Sequence, residues 1–405
     1  MRKILRNFTL RALTIALCCS CLSLSASAED IKSKFNPVDY AVTSLMIAPD
    51  AKGAGFGDAG AATDPDVNSQ YWNPAKYPFC ISKAGFALNY TPWLRQLVND
   101  MGLASLSGYY RLGDYSALSA SFRYFTLGEV YTSYDETAMT IKPYEMAFDV
   151  GISRMLSENF ALAVAGRFIM SDLRLTQEAE QKAATAFAAD IAMYYNKYFN
   201  LGNRECLFGL GLNISNIGSK INFSGDDYSY FIPTNMRLGI NLTLPIDEYN
   251  KFSIAADANK LLIPTRPSEE QFQADTAAHK TTCRDYQSYL VENYYNIGSI
   301  KGIFKSFSDA PNGFKEELEE IQWSVGAEYT YNDKFSLRAG YHHEAQNKGN
   351  RKYFTVGAGF KMSVFSLDVG YVIATAKSNP LDQTMRFSLA FDMDGINDLF
   401  KRGNR

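Results

Sequence analysis

The 405 residues carry 40 lysines and arginines against 43 aspartates and glutamates, a formal net charge of −3, with 46% hydrophobic and 14% aromatic residues. No basic stripe stands out against that charge, which speaks against a nucleic-acid partner. The same composition fits a membrane β-barrel and a secreted all-β protein equally, so the pattern along the chain must separate them.

Arg2, Lys3, Arg6 and Arg11 precede the apolar run Ala12 to Leu24, and Ala26-Ser27-Ala28 supplies a small-x-small site before Glu29. Residues 1–28 therefore read as a secretory signal peptide. Cys18, Cys19 and Cys21 leave with it; a lipoprotein reading of Cys21 is disfavoured because Cys18 stands where a lipobox wants leucine. The mature chain keeps Cys80, Cys206 and Cys283, an odd number in distant segments, which establishes no disulfide framework. No later stretch reaches the ~18 consecutive apolar residues of a membrane helix. A membrane chain without such helices has to close as a barrel, because lipid cannot satisfy open sheet edges.

Residues 29–80 differ in character from the alternating sequence on their C-terminal side. Their centre is Pro49-Asp50-Ala51-Lys52-Gly53-Ala54-Gly55-Phe56-Gly57-Asp58-Ala59-Gly60-Ala61-Ala62, closed by Tyr71-Trp72-Asn73-Pro74-Ala75. Gly53, Gly55, Gly57 and Gly60 let backbones approach where a side chain would collide. Such a segment suits a plug or hatch inside a barrel, and equally a flexible linker.

From residue 84 onward the sequence alternates with period two, as in Phe208, Leu210, Leu212 and Ile214 against Gly209, Gly211, Asn213 and Ser215. Fourteen strands are predicted: 84–90, 102–111, 115–126, 145–155, 160–171, 186–197, 206–214, 235–244, 252–260, 321–331, 335–344, 353–361, 365–373 and 384–393. Alternate connections are short, and the others, at 91–101, 127–144, 172–185, 215–234, 261–320, 345–352 and 374–383, are mostly longer. Short periplasmic turns and longer extracellular loops are the habit of outer-membrane barrels, which also have an even strand count. A sandwich has no reason to sort its loops by parity. The expectation is an all-β fold: a 14-stranded transmembrane antiparallel β-barrel over residues 81–394, with a periplasmic tail at 395–405. Its inner face would carry Arg123, Arg154, Arg167, Arg237, Asp257, Glu328, Arg338, Lys361, Asp368 and Arg386. Tyr109, Tyr110, Tyr194, Tyr195, Tyr329, Tyr331, Tyr341 and Tyr371 would form girdles at the headgroup level.

The connection 261–320 is too long for an idle hairpin loop. Tyr286 to Ile297 reads as a helix, and Phe314, Leu318 and Ile321 space like one face of another. The apolar run 297–307 between them, with Ile300, Ile303, Phe304 and Phe307, marks a partner surface or a lid over the barrel. The same choice applies to Trp93, Leu94, Leu97 and Val98 in the first long connection.

Catalytic chemistry finds little support. His342 and His343 end a strand beside Glu344, but neighbouring strand residues point to opposite faces, and no nucleophile elbow accompanies them. A surface or girdle pair is the better reading of these histidines. Glu316, Glu317, Glu319 and Glu320 read as the solvated face of a helix, and Asp64-Pro65-Asp66 does not complete a calcium loop. No catalytic residue, metal site or cofactor is expected.

The run Pro49 to Tyr77 resembles the start of the FadL-like superfamily of outer-membrane barrels, whose hatch carries an Asn-Pro-Ala motif matched here by Asn73-Pro74-Ala75. More narrowly, NPVDYAVTSLMIAPDAKGAGFGDAG and DPDVNSQYWNPAKY resemble the PorV family of the type IX secretion system of Bacteroidota. That resemblance implies a non-enzymatic outer-membrane component with its loops outside the cell. It would bind secreted substrates by their C-terminal signal domain, receive them from the translocon barrel, and pass them to the sortase-containing attachment complex. The wider superfamily implies the alternative of a transporter for a hydrophobic small molecule. An enzyme acting on the outer leaflet is the third possibility.

Overall fold

The computed structural model describes residues 35–95, 98, 100–134, 137–173, 183–223, 228–375 and 381–396. The expected signal peptide, residues 29–34, Leu97 and tail positions 397–405 lie outside the described residues.

The strands are β1 (Ala84–Pro92), β2 (Met101–Arg111), β3 (Ser116–Leu127), β4 (Val130–Tyr134), β5 (Thr137–Ile141), β6 (Tyr144–Ser157), β7 (Phe160–Asp172) and β8 (Ala184–Leu201). They continue with β9 (Arg204–Gly218), β10 (Asn235–Pro245), β11 (Asn250–Leu261), β12 (Gln322–Tyr331), β13 (Phe335–His343), β14 (Lys352–Lys361), β15 (Phe365–Ala374) and β16 (Met385–Asp392). All except β4 and β5 form one closed antiparallel barrel of fourteen strands, each paired with its neighbours in sequence. β1 and β16 close it in the register Gly85↔Asp392 to Tyr90↔Phe387. No described helix is long and apolar enough to cross a membrane. All fourteen expected strands are present, and their ends move by at most four residues. Within the connection expected at 127–144, β4 and β5 form a separate hairpin that the sequence pattern does not reveal.

Period two explains the barrel. Leu88, Leu106, Leu118, Phe122, Phe148, Val150, Ile152, Leu162, Val164, Leu238, Ile240 and Val356 stay exposed, as lipid-facing side chains of a closed sheet do. Their alternates Asn89, Ser107, Ser119, Arg123, Asp149, Arg167, Arg237, Asn241 and Thr355 are buried on the inner side. Arg154 corrects one expectation: it continues the outward series of Val150 and Ile152 and is exposed. An arginine at a strand end reaches water from either face, so its charge does not report its phase. Lys361 keeps the inward phase of Thr355 but stands exposed at the strand end. Tyr109 and Tyr194 are buried, so they leave the expected girdle, whereas Tyr110, Tyr329 and Tyr331 are exposed.

The N-terminal segment runs from one end of the barrel to the other along these inner residues. Asn36 donates its backbone N–H to the carbonyl of Asn347, in the long connection between β13 and β14. At the other end Cys80 offers its carbonyl to Arg111, 2.9 Å away at the last residue of β2, beside a short turn. Between them come short helical turns at Thr43–Met46, Ala51–Gly55, Ser69–Trp72 and Pro74–Phe79.

Candidate functional site

Two sets of residues stand out: the seat of the N-terminal segment and the platform of long connections above it.

The seat is built on missing side chains. A Cβ on Gly211 of β9 would lie 2.0 Å from the Ala61 carbonyl oxygen, and one on Gly340 of β13 would lie 2.3 Å from the backbone nitrogen of Gly57. Gly326 and Gly340 face each other across β12 and β13, as do Gly357 and Gly370 across β14 and β15. These paired glycines form a slot in the wall into which Gly55–Gly57 press. Within the segment, Gly53 and Gly60 clamp the Trp72 ring, at which their added Cβ atoms would arrive within 2.3 and 2.2 Å. Gly57 also requires its positive φ of 76°.

Hydrogen bonds then fix the seat. Asp257 accepts with one oxygen from the N–H groups of Gly60 (2.8 Å) and Ala61 (2.9 Å). Thr355 accepts from Gly57 and donates to the Gly55 carbonyl, and Arg386 pairs with Asp58 at 2.6 Å. Asp50 caps the turn at Ala51 by accepting from Gly53 N–H, and its second oxygen accepts from Trp72 Nε1 at 2.6 Å. Tyr71 lies between the guanidiniums of Arg123 and Arg237, each 5.0 Å from its ring.

The Asn-Pro-Ala motif is one of these fasteners. Asn73 caps the turn Pro74–Phe79 by accepting from Ala75 N–H, with Pro74 at the first helical position where its missing N–H costs nothing. Its amide donates to the carbonyls of Ala61 and of Met193 in β8, both at 2.9 Å. Ala75 packs with Ala163, Ala192 and Tyr194 of the wall. Asn73→Ala removes the cap and both bonds, and the expected cost is about 2 to 4 kcal/mol. Heat-modifiable gel mobility of the purified barrel measures it.

The platform is the connection between β11 and β12. It contains helices Glu269–Ala277, Tyr286–Leu290, continued as a π-helical turn Val291–Tyr295, Ser299–Lys305 and Phe314–Glu319. The single helix expected at 286–297 is thus two short elements, and the helix at 299–305 lies within the apolar run. Gly302 turns toward Phe231 and Pro264, so Ile303 is half-buried while Ile300 and Phe307 are exposed and Phe304 is 73% exposed. Trp93 packs between two buried clusters, Ile47/Leu103/Phe125 and Tyr353/Val372/Leu381. Leu94 lines a cavity of about 490 Å³ with Val38, Trp93, Leu261 and Leu381 on an apolar side and Glu320, Glu344, Lys348 and Arg351 on a charged one.

The helix Phe314–Glu319 overturns the solvated-face reading. Glu316 is 3% exposed and Glu320, just beyond the helix, 5%, whereas Phe314 is 77% and Leu318 52% exposed. The carboxylates face Lys260 at the end of β11 and Lys348 of the 344–351 connection. Burial alone would raise the Glu316 pKa, but bonds from Lys348 and Asn312 hold it below the usual glutamate value. Asp309 accepts from the Thr265 N–H at 2.9 Å, and burial raises its pKa from the ordinary 3.8 to about 6. A carboxyl with a raised folded-state pKa stabilises the folded loop fully below 3.8, and that contribution is lost as pH rises through about 6. Asp309→Asn should therefore slow loop opening at pH 8 and leave it unchanged below pH 4, measured by hydrogen exchange over residues 262–310.

Of the two histidines, His342 departs from the surface reading, while His343 keeps it. His342 is buried, its Nδ1 lies 3.0 Å from Ser324 Oγ, and its ring stacks on Tyr353 at 4.8 Å. His343 points the other way and stacks on Trp323. Ser324 is fully buried in the wall. No group of three metal-ligating side chains occurs among the described residues, and Cys80, Cys206 and Cys283 are free thiols.

No curated protein matches the chain. Among solved structures, the toluene transporter TbuX of Ralstonia pickettii is 12% identical, with 84% of this chain and 97% of that one covered at a TM-score of 0.45. The toluene transporter TodX of Pseudomonas putida is 10% identical over 88% and 98%, with a TM-score of 0.47. A FadL homologue of Pseudomonas aeruginosa is 11% identical over 85% and 98%, at 0.41. The family model described as type IX secretion system protein PorV matches residues 30–268, more than half of the chain. By that match over more than half of the chain, which folds as a closed barrel of fourteen strands, the chain belongs to the PorV family of type IX secretion system proteins.

Proposed function

We propose that this outer-membrane barrel is a non-enzymatic docking station that carries secreted substrates, held by their C-terminal signal domain, from the translocon barrel to the sortase-containing attachment complex. The N-terminal segment serves as a plug, the long connections face the cell exterior, and cargo binds those loops rather than crossing the lumen. One observation carries the reading: the β11–β12 connection buries its carboxylates and leaves Phe304 and Phe314 in the open. A solvated loop has no reason to fold that way, whereas a protein-docking surface does. Family membership supplies the secretion context.

The test is purification of a tagged chain from native outer membranes in mild detergent, with mass spectrometry of the proteins and lipids that accompany it. Recovery of a large translocon barrel, a sortase-like protease or surface proteins sharing a C-terminal domain supports docking. The apolar side of the rim cavity, with Val38, Trp93, Leu94, Leu261 and Leu381, favours a second reading, a transporter of hydrophobic small molecules, although Glu320, Glu344, Lys348 and Arg351 line the same space. A chain recovered alone with a bound fatty acid would replace the first reading by the second.

A further inference from the structure

The inverted helix Phe314–Glu319 poses a question that docking alone does not answer. Something must compensate for three buried carboxylates, and whatever does so also decides which way the apolar face points. Every oxygen of these groups has a partner. Glu316 accepts from Lys348 Nζ (2.6 Å) and Asn36 Nδ2 (3.3 Å) with one oxygen, and from the N–H and side-chain amide of Asn312 (3.0 and 2.8 Å) with the other. Glu317 accepts from Ala310 N–H (2.9 Å) and Lys260 Nζ (3.0 Å). Glu320 accepts from Lys260 (2.6 Å), Lys348 (3.0 Å) and Thr265 Oγ1 (3.1 Å).

The two lysines come from opposite sides. Lys260 is the penultimate residue of β11, in the phase of the outward-facing Ile254 and Ala258, but it is buried because this helix covers it. Lys348 comes from the 344–351 connection, whose base is tied by Glu344 to Arg351 and Gln322. Glu320 touches both lysines and is the node. The helix has only six residues and no side-chain cap at its start, and besides these bonds Glu319 accepts from Asn347 Nδ2 at 2.6 Å. Helices this short are not stable by themselves.

We infer that Lys260 and Lys348 are positioning residues for docking: they pull Glu316, Glu317 and Glu320 against the barrel rim and thereby present Phe314 and Leu318 to an incoming protein. The inference rests on the docking reading for its function, but the latch itself is testable without it. Two like-charged ammonium groups bridged by one carboxylate make the arrangement all-or-none. Removing either lysine leaves a buried carboxylate short of a partner, and the remaining lysine then faces an excess of negative charge. Release of the helix frees Phe314 and Leu318 to collapse onto the rim, so the apolar surface is lost although no apolar residue has changed. Asn36 brings the N-terminal segment to the same node, so the latch also joins the platform to the segment lining the barrel.

Lys260→Met, Lys348→Met and the double variant test this in the full-length barrel, with labelling read in a Leu318→Cys, Cys283→Ser background so that a maleimide reports on the helix, and capture read in chains that keep Leu318 and Cys283. Folding of the barrel is checked by heat-modifiable gel mobility, and docking by capture of a secreted substrate's C-terminal domain. The expected result is a change in labelling rate of at least about tenfold in the double variant, a loss of capture of similar size with the barrel intact, and rescue of both by Lys→Arg. Labelling that stays at the parent rate overturns the latch. Altered labelling with undiminished capture overturns the positioning role. A parent chain that captures no substrate domain overturns the docking reading, and the labelling series still decides the latch.

Discussion

Replacing Trp72 with alanine is expected to release the N-terminal segment from its seat while the strand ladder persists. The indole is buried, held between Gly53 and Gly60, and its face lies 4.6 Å from the Arg237 guanidinium. Truncation removes a large buried ring and leaves a cavity, at a cost of about 3 to 5 kcal/mol. It also strips Asp50 of the 2.6 Å bond from Nε1, which adds about 1 to 3 kcal/mol for a buried acceptor left short. The smaller of these terms alone raises local opening roughly tenfold, and a combined ~4 kcal/mol raises it about a thousandfold. Hydrogen exchange over residues 50–62 reads the change, because the amides of Gly53, Gly60 and Ala61 are all tied into this seat. Trp72→Phe keeps most of the packing and loses only the donor, so it should fall between. Exchange in W72A that matches the parent would show that the wall glycines and Asp257 hold the segment without the indole.

The second large effect concerns the platform. Ile300→Asp with Phe304→Asp places two charges on an exposed apolar face of the helix Ser299–Lys305. Both positions are solvent-exposed, so barrel stability should change by no more than about 0.5 kcal/mol. Desolvating two carboxylates in an interface costs several kcal/mol, and capture of a substrate C-terminal domain should fall by at least about a hundredfold. Deletion of residues 297–307 should have the same outcome. Undiminished capture in the double variant, with the barrel folded, would move the docking surface elsewhere on the rim.

Much of this architecture was legible in the sequence, and the reason is periodicity. A barrel strand has one face in lipid and one in the lumen, so every strand writes its identity as an alternation, and the fourteen strands could be placed within a few residues. The segment before β1 was legible as a small-residue stretch, and Asn73-Pro74-Ala75 by its resemblance to a hatch motif, but not the capping and the two carbonyl bonds by which Asn73 fastens it. Features that depend on distant pairing were not legible. The carboxylates of Glu317 and Glu320 look solvated until Lys260 is brought from 57 and 60 positions away. His342 looks like half of a surface pair until Ser324 and Tyr353 close over it. The inner glycines could be read as a small face, but nothing local says that Gly211 faces Ala61 or that Gly340 faces Gly57. The β4–β5 hairpin was missed because its strands, Val130–Tyr134 and Thr137–Ile141, are too short to establish a period.

The pairing of the first strand with the last has a consequence for biogenesis. β1 comes directly after the segment that fills the glycine slot, and it pairs with β2 and with β16. The ring therefore has one seam, between the earliest and the latest strands of the chain, and everything that must be inside precedes the strand at its edge. Backbone approaches as close as those at Gly211 and Gly340 leave little clearance for a chain pushed through a finished cylinder. A segment threaded in after closure would have to pass these contacts, whereas one laid against an open wall before β16 pairs with β1 would not.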